Sequence, residues 1–528
     1  MSAFPATERA VQLVGPDDLV LNERKPVRAP AEHQLLGRVE AVGICFSDVK
    51  LVKQFDRHVR KAEITGGLPR SVLREMPNYV PGPAATVPGH EAVIRVVAAG
   101  PGMTRHAVGQ RLLVQTDYRW LPTPSSNAAF GYDFEGALQE YVLLDERVFV
   151  SPEGESLLLP ADDSLSASEI ALCEPWACVE RAYSEPQRRA LADGGRLLVV
   201  GDGPLGSDPI RGLPGSPAEA VFSAAGELSA LSPGAFDDIV YFGSNPETVE
   251  RLFPLLSTGG LLNLVLCGGA FGRAVRVQVG RIHYGGIRVI GALGHDPAEA
   301  LEAIPATPAI WPGSTIEIVG AGGPMGTMHV IRALSCGLPG VKVLASDPAA
   351  ERLAALRDRA EPLARKAGVH FVAYDPSEGR PQGQRDYIVL AAPIPGLVAQ
   401  AVADAAPRAI VNVFAGIAAE QTAEIDLDAY VTRRCYFVGT SGSELDDMRA
   451  VLARVEAGGL DTNVSVAAVA GLDGAIEGIR AVEHNAVAGK IVVYPSCEGL
   501  GLTPIAELSG ARWTREAEQA LLEPGGAR

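Results

Sequence analysis

The stretch from Thr315 to Asp347 limits the possible folds more than any other. Thr315-Ile316-Glu317-Ile318-Val319 reads as a buried strand and runs directly into Gly320-Ala321-Gly322-Gly323-Pro324-Met325-Gly326. A helical stretch follows from Thr327 to Cys336, then a second strand, Val341-Lys342-Val343-Leu344-Ala345-Ser346, ending at Asp347. Strand, glycine turn, helix and strand in that order make a parallel β-α-β unit. Its glycines let the backbone approach a pyrophosphate at the free amides of a helix start. Asp347, 25 residues past Gly322 (347 − 322), stands where an acid accepts hydrogen bonds from ribose hydroxyls. The spacing is one residue longer than the usual G-x-G-x-x-G. The stretch predicts a dinucleotide site at Gly320, Gly322, Gly323, Met325, Gly326 and Asp347. NAD is favoured over NADP, because an acid repels a 2′-phosphate. Asp347 also suits a helix cap before Pro348-Ala349-Ala350, and the two roles can coexist.

A second glycine pattern lies upstream. Arg196-Leu197-Leu198-Val199-Val200 leads into Gly201-Asp202-Gly203-Pro204-Leu205-Gly206, which has the standard spacing. The segment after it, Ser207–Gly215, holds two prolines and two glycines, too many for the required helix. The two regions align as an internal repeat. Val200 matches Val319 (offset 319 − 200 = 119), Asp237-Asp238-Ile239-Val240 matches Asp386-Tyr387-Ile388-Val389 (386 − 237 = 149), and Val289-Ile290-Gly291 matches Phe437-Val438-Gly439 (437 − 289 = 148). The upstream copy is therefore short by 30 residues (149 − 119), in the region where the helix and second strand belong. It is expected to be a truncated, structural unit that binds no nucleotide.

Three further stretches carry zinc-ligand chemistry. Val42-Gly43-Ile44-Cys45-Phe46-Ser47-Asp48 places a thiol, a hydroxyl and a carboxylate within four residues. Pro88-Gly89-His90-Glu91 offers an imidazole and a carboxylate, and Cys173-Glu174-Pro175-Trp176-Ala177 a second thiol and carboxylate. Cys, His and Glu are all zinc ligands, and three of them plus an open position is the catalytic arrangement. The plainer reading of Cys45 is a buried cysteine before a Ser-Asp helix cap.

These motifs, in this order, resemble those of the zinc-dependent medium-chain dehydrogenases, the alcohol and polyol dehydrogenase family. The sorbitol dehydrogenase and sorbose-phosphate reductase branch is the most similar. The resemblance takes in Phe130-Gly131-Tyr132, Gly136-Ala137-Leu138-Gln139-Glu140-Tyr141 and Gly489-Lys490-Ile491-Val492-Val493-Tyr494-Pro495. It implies an α/β fold: a GroES-like β-rich catalytic domain, a Rossmann doubly wound parallel sheet, and here a second, truncated Rossmann-like unit. It also implies one zinc per chain, held by Cys45, His90 and Glu174 with Glu91 as an outer or exchangeable ligand. Cys173 would take the third position in the simple alcohol branch. Ser47 would relay a proton, Asp48 would fix the tautomer of His90, and Ser441, in Gly439-Thr440-Ser441-Gly442, would lie near the nicotinamide. The expected reaction is hydride transfer between NAD and a secondary alcohol of a polyol, sugar or sugar phosphate. The alternatives are a dehydrogenase of an ordinary secondary or aromatic alcohol, or a non-catalytic scaffold. No cysteine lies between Cys45 and Cys173, which removes the four-cysteine structural zinc of many family members.

The 528 residues exceed one ordinary core. The expected domains are 1–190, completed by about 466–528, then 191–311 for the truncated unit and 312–465 for the NAD-binding unit. A net charge of −17 argues against nucleic acid or an anionic membrane as partner. The first residues show no signal-peptide pattern and the seven cysteines no regular spacing, so a cytoplasmic protein with reduced thiols is expected. A homo-oligomer, dimer or tetramer, follows from the resemblance. The irregular segment 55–87 is expected to hang over the site. The basic run Lys50, Lys53, Arg57, His58, Arg60, Lys61 at its start reads as a phosphate patch or as a solvated helix face. Residues 510–528 read as a loosely held tail.

Overall fold

The structure, a computed structural model, describes residues 4–510 and 512–523. It forms two compact units, residues 1–177 with 443–528, and residues 178–442. The sequence placed these divisions near 190 and 466. Helix Leu445–Glu456 thus belongs to the first unit. Among the described residues, no helix is long and apolar enough to cross a membrane.

The first unit is built on an eight-stranded sheet with Gln34–Ile44 at its centre. That strand is apolar on both faces because it is covered on both, and nine of its eleven residues are buried. It pairs antiparallel with Glu91–Ala99, Tyr141–Asp145 and Lys490–Val493. Lys490–Val493 and Val466–Ala470 are parallel, and helix Leu472–Glu483 makes the crossover between them. The chain's last third therefore completes the sheet begun by its first fifty residues.

Segment 55–87 is pinned rather than free. Lys61 is buried and donates through Nζ to Val80 O and Ala84 O at 2.5 and 2.7 Å. Val80 N donates to Asp133 O, and Thr86 and Leu13 exchange backbone hydrogen bonds.

Over residues 512–523 the expectation of a loose tail is corrected, while residues 511 and 524–528 of that stretch lie outside the described residues. Arg515–Leu522 is a helix whose Glu518 is buried. Its carboxylate accepts from Ala167 N at 2.5 Å, from Ser168 N and Oγ at 2.9 and 2.6 Å, and from Tyr494 OH at 2.7 Å. Glu518 thus satisfies the free amides at the start of helix Ala167–Ala171, where negative charge is also favoured.

The second unit contains both copies of the repeat. The downstream copy is a six-stranded parallel sheet in the order His370–Tyr374, Lys342–Ser346, Thr315–Val319, Arg385–Leu390, Ala405–Val413, Tyr436–Val438. The upstream copy has five strands in the order Glu219–Ala224, Arg196–Gly201, Phe236–Phe242, Leu256–Val265, Arg288–Ala292. This corrects the expected loss of its second strand. Glu219–Ala224 pairs with Arg196–Gly201 just as Lys342–Ser346 pairs with Thr315–Val319. Ser223 lies opposite Val200 and Ser346 opposite Val319, so the offset at this strand is 123 (346 − 223). Only 4 residues (123 − 119) are therefore missing before the second strand and 26 (149 − 123) after it. The later gap corresponds to helix Ala350–Ala367 and strand His370–Tyr374. The helix expected to be absent after Gly206 is indeed absent: Leu205, Ile210 and Leu213 from an irregular loop pack on Leu197, Val199, Val240 and Val265 instead.

Glu518→Ala should destabilise the first unit by about 3 kcal/mol, the cost of stripping several buried donors of a charged acceptor. Glu516→Ala, at an exposed site on the same helix, should change stability by less than about 0.5 kcal/mol. Urea unfolding followed by tryptophan fluorescence, which Trp513 reports, checks both.

Candidate active site

Strand register assembles the first cluster. Gly43 lies directly opposite Glu91, and Ile44 opposite Ile491. The three strand ends therefore deliver Cys45, His90, Glu91 and Lys490 to one place. Cys45 is the N-cap of helix Phe46–Gln54, with extended backbone (φ −121°, ψ 158°). Asp48, at the third helical position, accepts from Cys45 N at 2.9 Å and from Gly89 N at 3.1 Å. One carboxylate thus closes the helix start and ties the Cys45 turn to the His90 turn. It also lies 3.3 Å from His90 Nδ1.

The sulfur of Cys45, an imidazole nitrogen of His90 and a carboxylate oxygen of Glu91 all lie within 4.8 Å of one another. Glu91 Oε2 has no hydrogen-bond partner among the described residues, although it is buried. Buried polar atoms without partners are uncommon and call for a reason. Gly43 makes room for this carboxylate: a Cβ there would stand 2.0 Å from Glu91 Oε2. The other oxygen, Oε1, accepts from Lys490 Nζ at 2.5 Å, and Nζ also donates to Ile44 O at 2.8 Å. Ser47 Oγ lies 3.7 Å from Cys45 Sγ.

The electrostatics are those of a buried charge cluster. Burial pushes the Asp48 carboxyl up, but His90 and the two backbone amides outweigh it and hold the group below the ordinary carboxylate range. Burial opposes a charge on His90, yet Tyr132 and Asp48 raise its pKa well above the usual imidazole value. Lys490 is likewise raised against burial, by Glu91 first. Glu174, in the first turn of helix Cys173–Ser184, is buried and is not among the three groups that converge. Burial lifts its pKa to about 7, with His90 pulling it down and Glu91 pushing it up. Cys173 is fully buried, donates to Glu169 O, and has its thiol pKa raised by burial, as a structural core cysteine would.

The cations of the basic run are largely engaged. Lys53 pairs with Asp17 and Glu483, Lys61 with backbone carbonyls, and Arg60 with Asp117. Segment 55–87 reaches the cluster through aromatic contacts. His58 and Arg60 lie 5.0 and 5.6 Å from the Tyr132 ring, and Tyr132 lies 5.8 Å from the His90 ring.

In the second unit, the loop after Val319 has the expected form. Gly320 has φ +79°, and a Cβ on Gly326 would meet Gly320 O at 2.2 Å, so both positions require glycine. Helix Pro324–Leu334 starts at Gly323 and contains Met325. Asp347 is buried at the end of its strand, accepts from Gly322 N at 3.1 Å and pairs with Arg352 at 2.7 Å. Ser441 is exposed. In the upstream copy the residue after Ser223, at the place of Asp347, is Ala224. Its loop acid, Asp202, is exposed and accepts from Tyr241 OH and Ser244 N at 2.6 and 3.1 Å.

Residues 31–153 match the model of the alcohol dehydrogenase GroES-like domain. An (R,R)-butanediol dehydrogenase of Bacillus subtilis (strain 168) is 28% identical over 225 residues, 38% of this chain and 57% of the relative. A sorbitol dehydrogenase of Halalkalibacterium halodurans is 25% identical over 197 residues, 35% of this chain and 46% of the relative. The chain thus spans about half the length of these curated relatives. The crystal structure of 2R,3R-butanediol dehydrogenase from Bacillus subtilis superposes with a TM-score of 0.54 at 16% identity, over 93% of this chain and all of that one. The fold is that of the medium-chain alcohol and polyol dehydrogenases.

Within this medium-chain dehydrogenase fold, three contributors to the clusters were not singled out from sequence. Lys490 carries a signal in retrospect, a lysine opening an otherwise apolar strand, Ile491-Val492-Val493. Gly43 carries none, because its role depends on which residue lies opposite. Arg352 sits five residues past Asp347, within reach of it from the following helix.

Gly43→Ala should displace Glu91 and lower metal affinity by about 10- to 100-fold, the range seen when a ligand's support is disturbed, with far-UV circular dichroism unchanged. Competition with a zinc-binding dye checks it.

Proposed function

We propose that the chain is a zinc- and NAD-dependent oxidoreductase acting on the secondary alcohol, or the matching ketone, of a polyol or sugar. The observation that carries the reading is the convergence of Cys45, His90 and Glu91 beside Asp48. A sulfur, a nitrogen and an oxygen donor so close together match the mixed ligand set of a catalytic zinc, and a cation would give the buried Glu91 Oε2 its partner. In this reading Cys45, His90 and Glu91 hold the metal, and Glu174 is a neighbouring carboxylate able to exchange for Glu91. A bound zinc would supply Lewis-acid polarisation of the substrate oxygen.

The chain's own residues have separate tasks. Asp48 keeps His90 and Cys45 in register, and Lys490 holds Glu91 by one oxygen while leaving the other free. Ser47 is placed beside Cys45 to pass a proton outward. Gly320, Gly322, Gly323, Met325 and Gly326 form the turn and helix start for the pyrophosphate. Asp347 takes the ribose, with Arg352 aligning its carboxylate. Ser441 lies in the loop assigned to the nicotinamide. The names of the two curated relatives, a butanediol and a sorbitol dehydrogenase, agree with a polyol substrate. The engagement of Lys53, Arg60 and Lys61 within the unit gives the sugar-phosphate form of the reading less support.

Elemental analysis should give one zinc per chain, and Cys45→Ser should abolish it together with polyol oxidation while the chain stays folded. An active preparation with two zincs or none would sink the assignment.

One NAD should bind per chain. Gly322→Val should prevent it, since a Cβ there already meets Arg352 and Asp347 at 2.6 and 3.0 Å, whereas the same change at Gly203 meets nothing within 4 Å. Asp347→Ala should weaken NAD about tenfold or more, the equivalent of one or two charged hydrogen bonds, and NADP less. Titration calorimetry reads all three variants, and a second site, or loss through Gly203→Val alone, would contradict the assignment.

A further inference from the structure

The two copies of the repeat meet across a pseudo-two-fold axis. Val275–Val277 and Ala423–Ile425 form a two-stranded antiparallel ribbon. Arg276 lies opposite Glu424, an offset of 148 (424 − 276), the same offset that relates Val289 to Phe437. Arg276 therefore faces its own repeat counterpart. Val275 faces Ile425, the counterpart of Val277, and Val277 faces Ala423, the counterpart of Val275.

Contacts away from the ribbon obey the same exchange rule. Gly291 approaches the side chain of Val431, at 2.6 Å from an added Cβ, and its counterpart Gly439 approaches His283, the counterpart of Val431, at 2.8 Å. An added Cβ on Gly280 would meet the backbone at Ala418 and Ala419. Asp428, the counterpart of Gly280, accepts from Phe271 N and Gly272 N at 2.9 Å each, and Phe271 is the counterpart of Ala419. Residue i of one copy touching j of the other, while j of the first touches i of the second, defines an isologous interface, the kind made by two identical subunits. Its apolar filling comes from both copies: Val275, Val277, Val279, Ile282 and Val289 on one side, Ile425, Leu427, Tyr430 and Phe437 on the other, in one buried cluster.

The pattern of loss fits this interface. The upstream sheet keeps its strands from Arg196–Gly201 through Arg288–Ala292, at the edge that faces the other copy. Its missing helix, third strand and ribose acid belong to the opposite edge and to nucleotide binding.

We infer that the upstream copy is a partner subunit built into the chain. It has kept the surface that docks on the cofactor-bearing copy and discarded the cofactor machinery. The surface that would receive a second chain is filled by the upstream copy, so the protein is a monomer in solution, with one nucleotide site for each pair of sheets.

Sedimentation velocity of the full chain over a wide concentration range tests the claim. A single species at the chain mass of 55.3 kDa supports it, and a stable species of twice that mass overturns it. A second measurement addresses the interface directly. Arg276→Cys with Glu424→Cys places two thiols at paired positions of an antiparallel ribbon, close enough for a disulfide. After mild oxidation, a bond within one chain on a non-reducing gel supports the inference. A bond joining two chains, absent from the Arg276→Cys single variant, overturns it. If the double variant does not fold, the sedimentation result decides.

Discussion

The buried pair between Lys490 and Glu91 holds the first unit's chemistry in place. Its partners are 399 residues apart in the chain, and both side chains are at most 2% exposed. Two charges withdrawn from water give little net stability, but removing one partner leaves the other uncompensated and costs about 3–5 kcal/mol. The pair therefore acts as a specificity device. It fixes the register of Lys490–Val493 on Gln34–Ile44, because any slip would separate the charges and also turn the strand's side chains over. The register on the other side of Gln34–Ile44, with Gly43 opposite Glu91, sets the distance from Glu91 to Cys45. Asp48 does the same work from the other side, joining two turns through one carboxylate.

Much of this was legible in the sequence, for identifiable reasons. The strand ending at Val319, its glycine turn and Asp347 were plain because backbone geometry there admits few residue types. The upstream copy was recognised because strands in the interior of a parallel sheet keep continuous apolar runs. Its second strand was missed because Glu219-Ala220-Val221-Phe222-Ser223-Ala224 lies at a sheet edge with none of its residues buried, and its apolar run, Ala220-Val221-Phe222, is too short to read as a core strand. The missing residues were counted correctly, but a count alone cannot say which elements went with them.

The candidate site was legible by residue type and less so by arrangement. Cys45, Ser47, Asp48, His90 and Glu91 stand out because their chemistry is rare in such short stretches. The choice between Glu91 and Glu174 depends on which carboxylate a strand register brings to Cys45, and register is a property of pairs of distant segments. The C-terminal helix was misread for a related reason. Its buried face is a glutamate and a leucine, Glu518 and Leu521, so burial there follows from a polar contact that hydropathy cannot reveal.

The two units differ in how their residues are distributed along the chain, and this sets an order of assembly during synthesis. Residues 178–442 are contiguous, so everything the second unit needs has been made well before the chain ends. The first unit cannot close until Lys490 has emerged, and the amides of Ala167 and Ser168 lack their acceptor until Glu518 follows. Cys45 and His90 are thus among the earliest side chains to leave the ribosome and among the last to find their final neighbours. At about 5–20 residues per second, the thiol of Cys45 stays outside its finished surroundings for tens of seconds, when an oxidant can reach it.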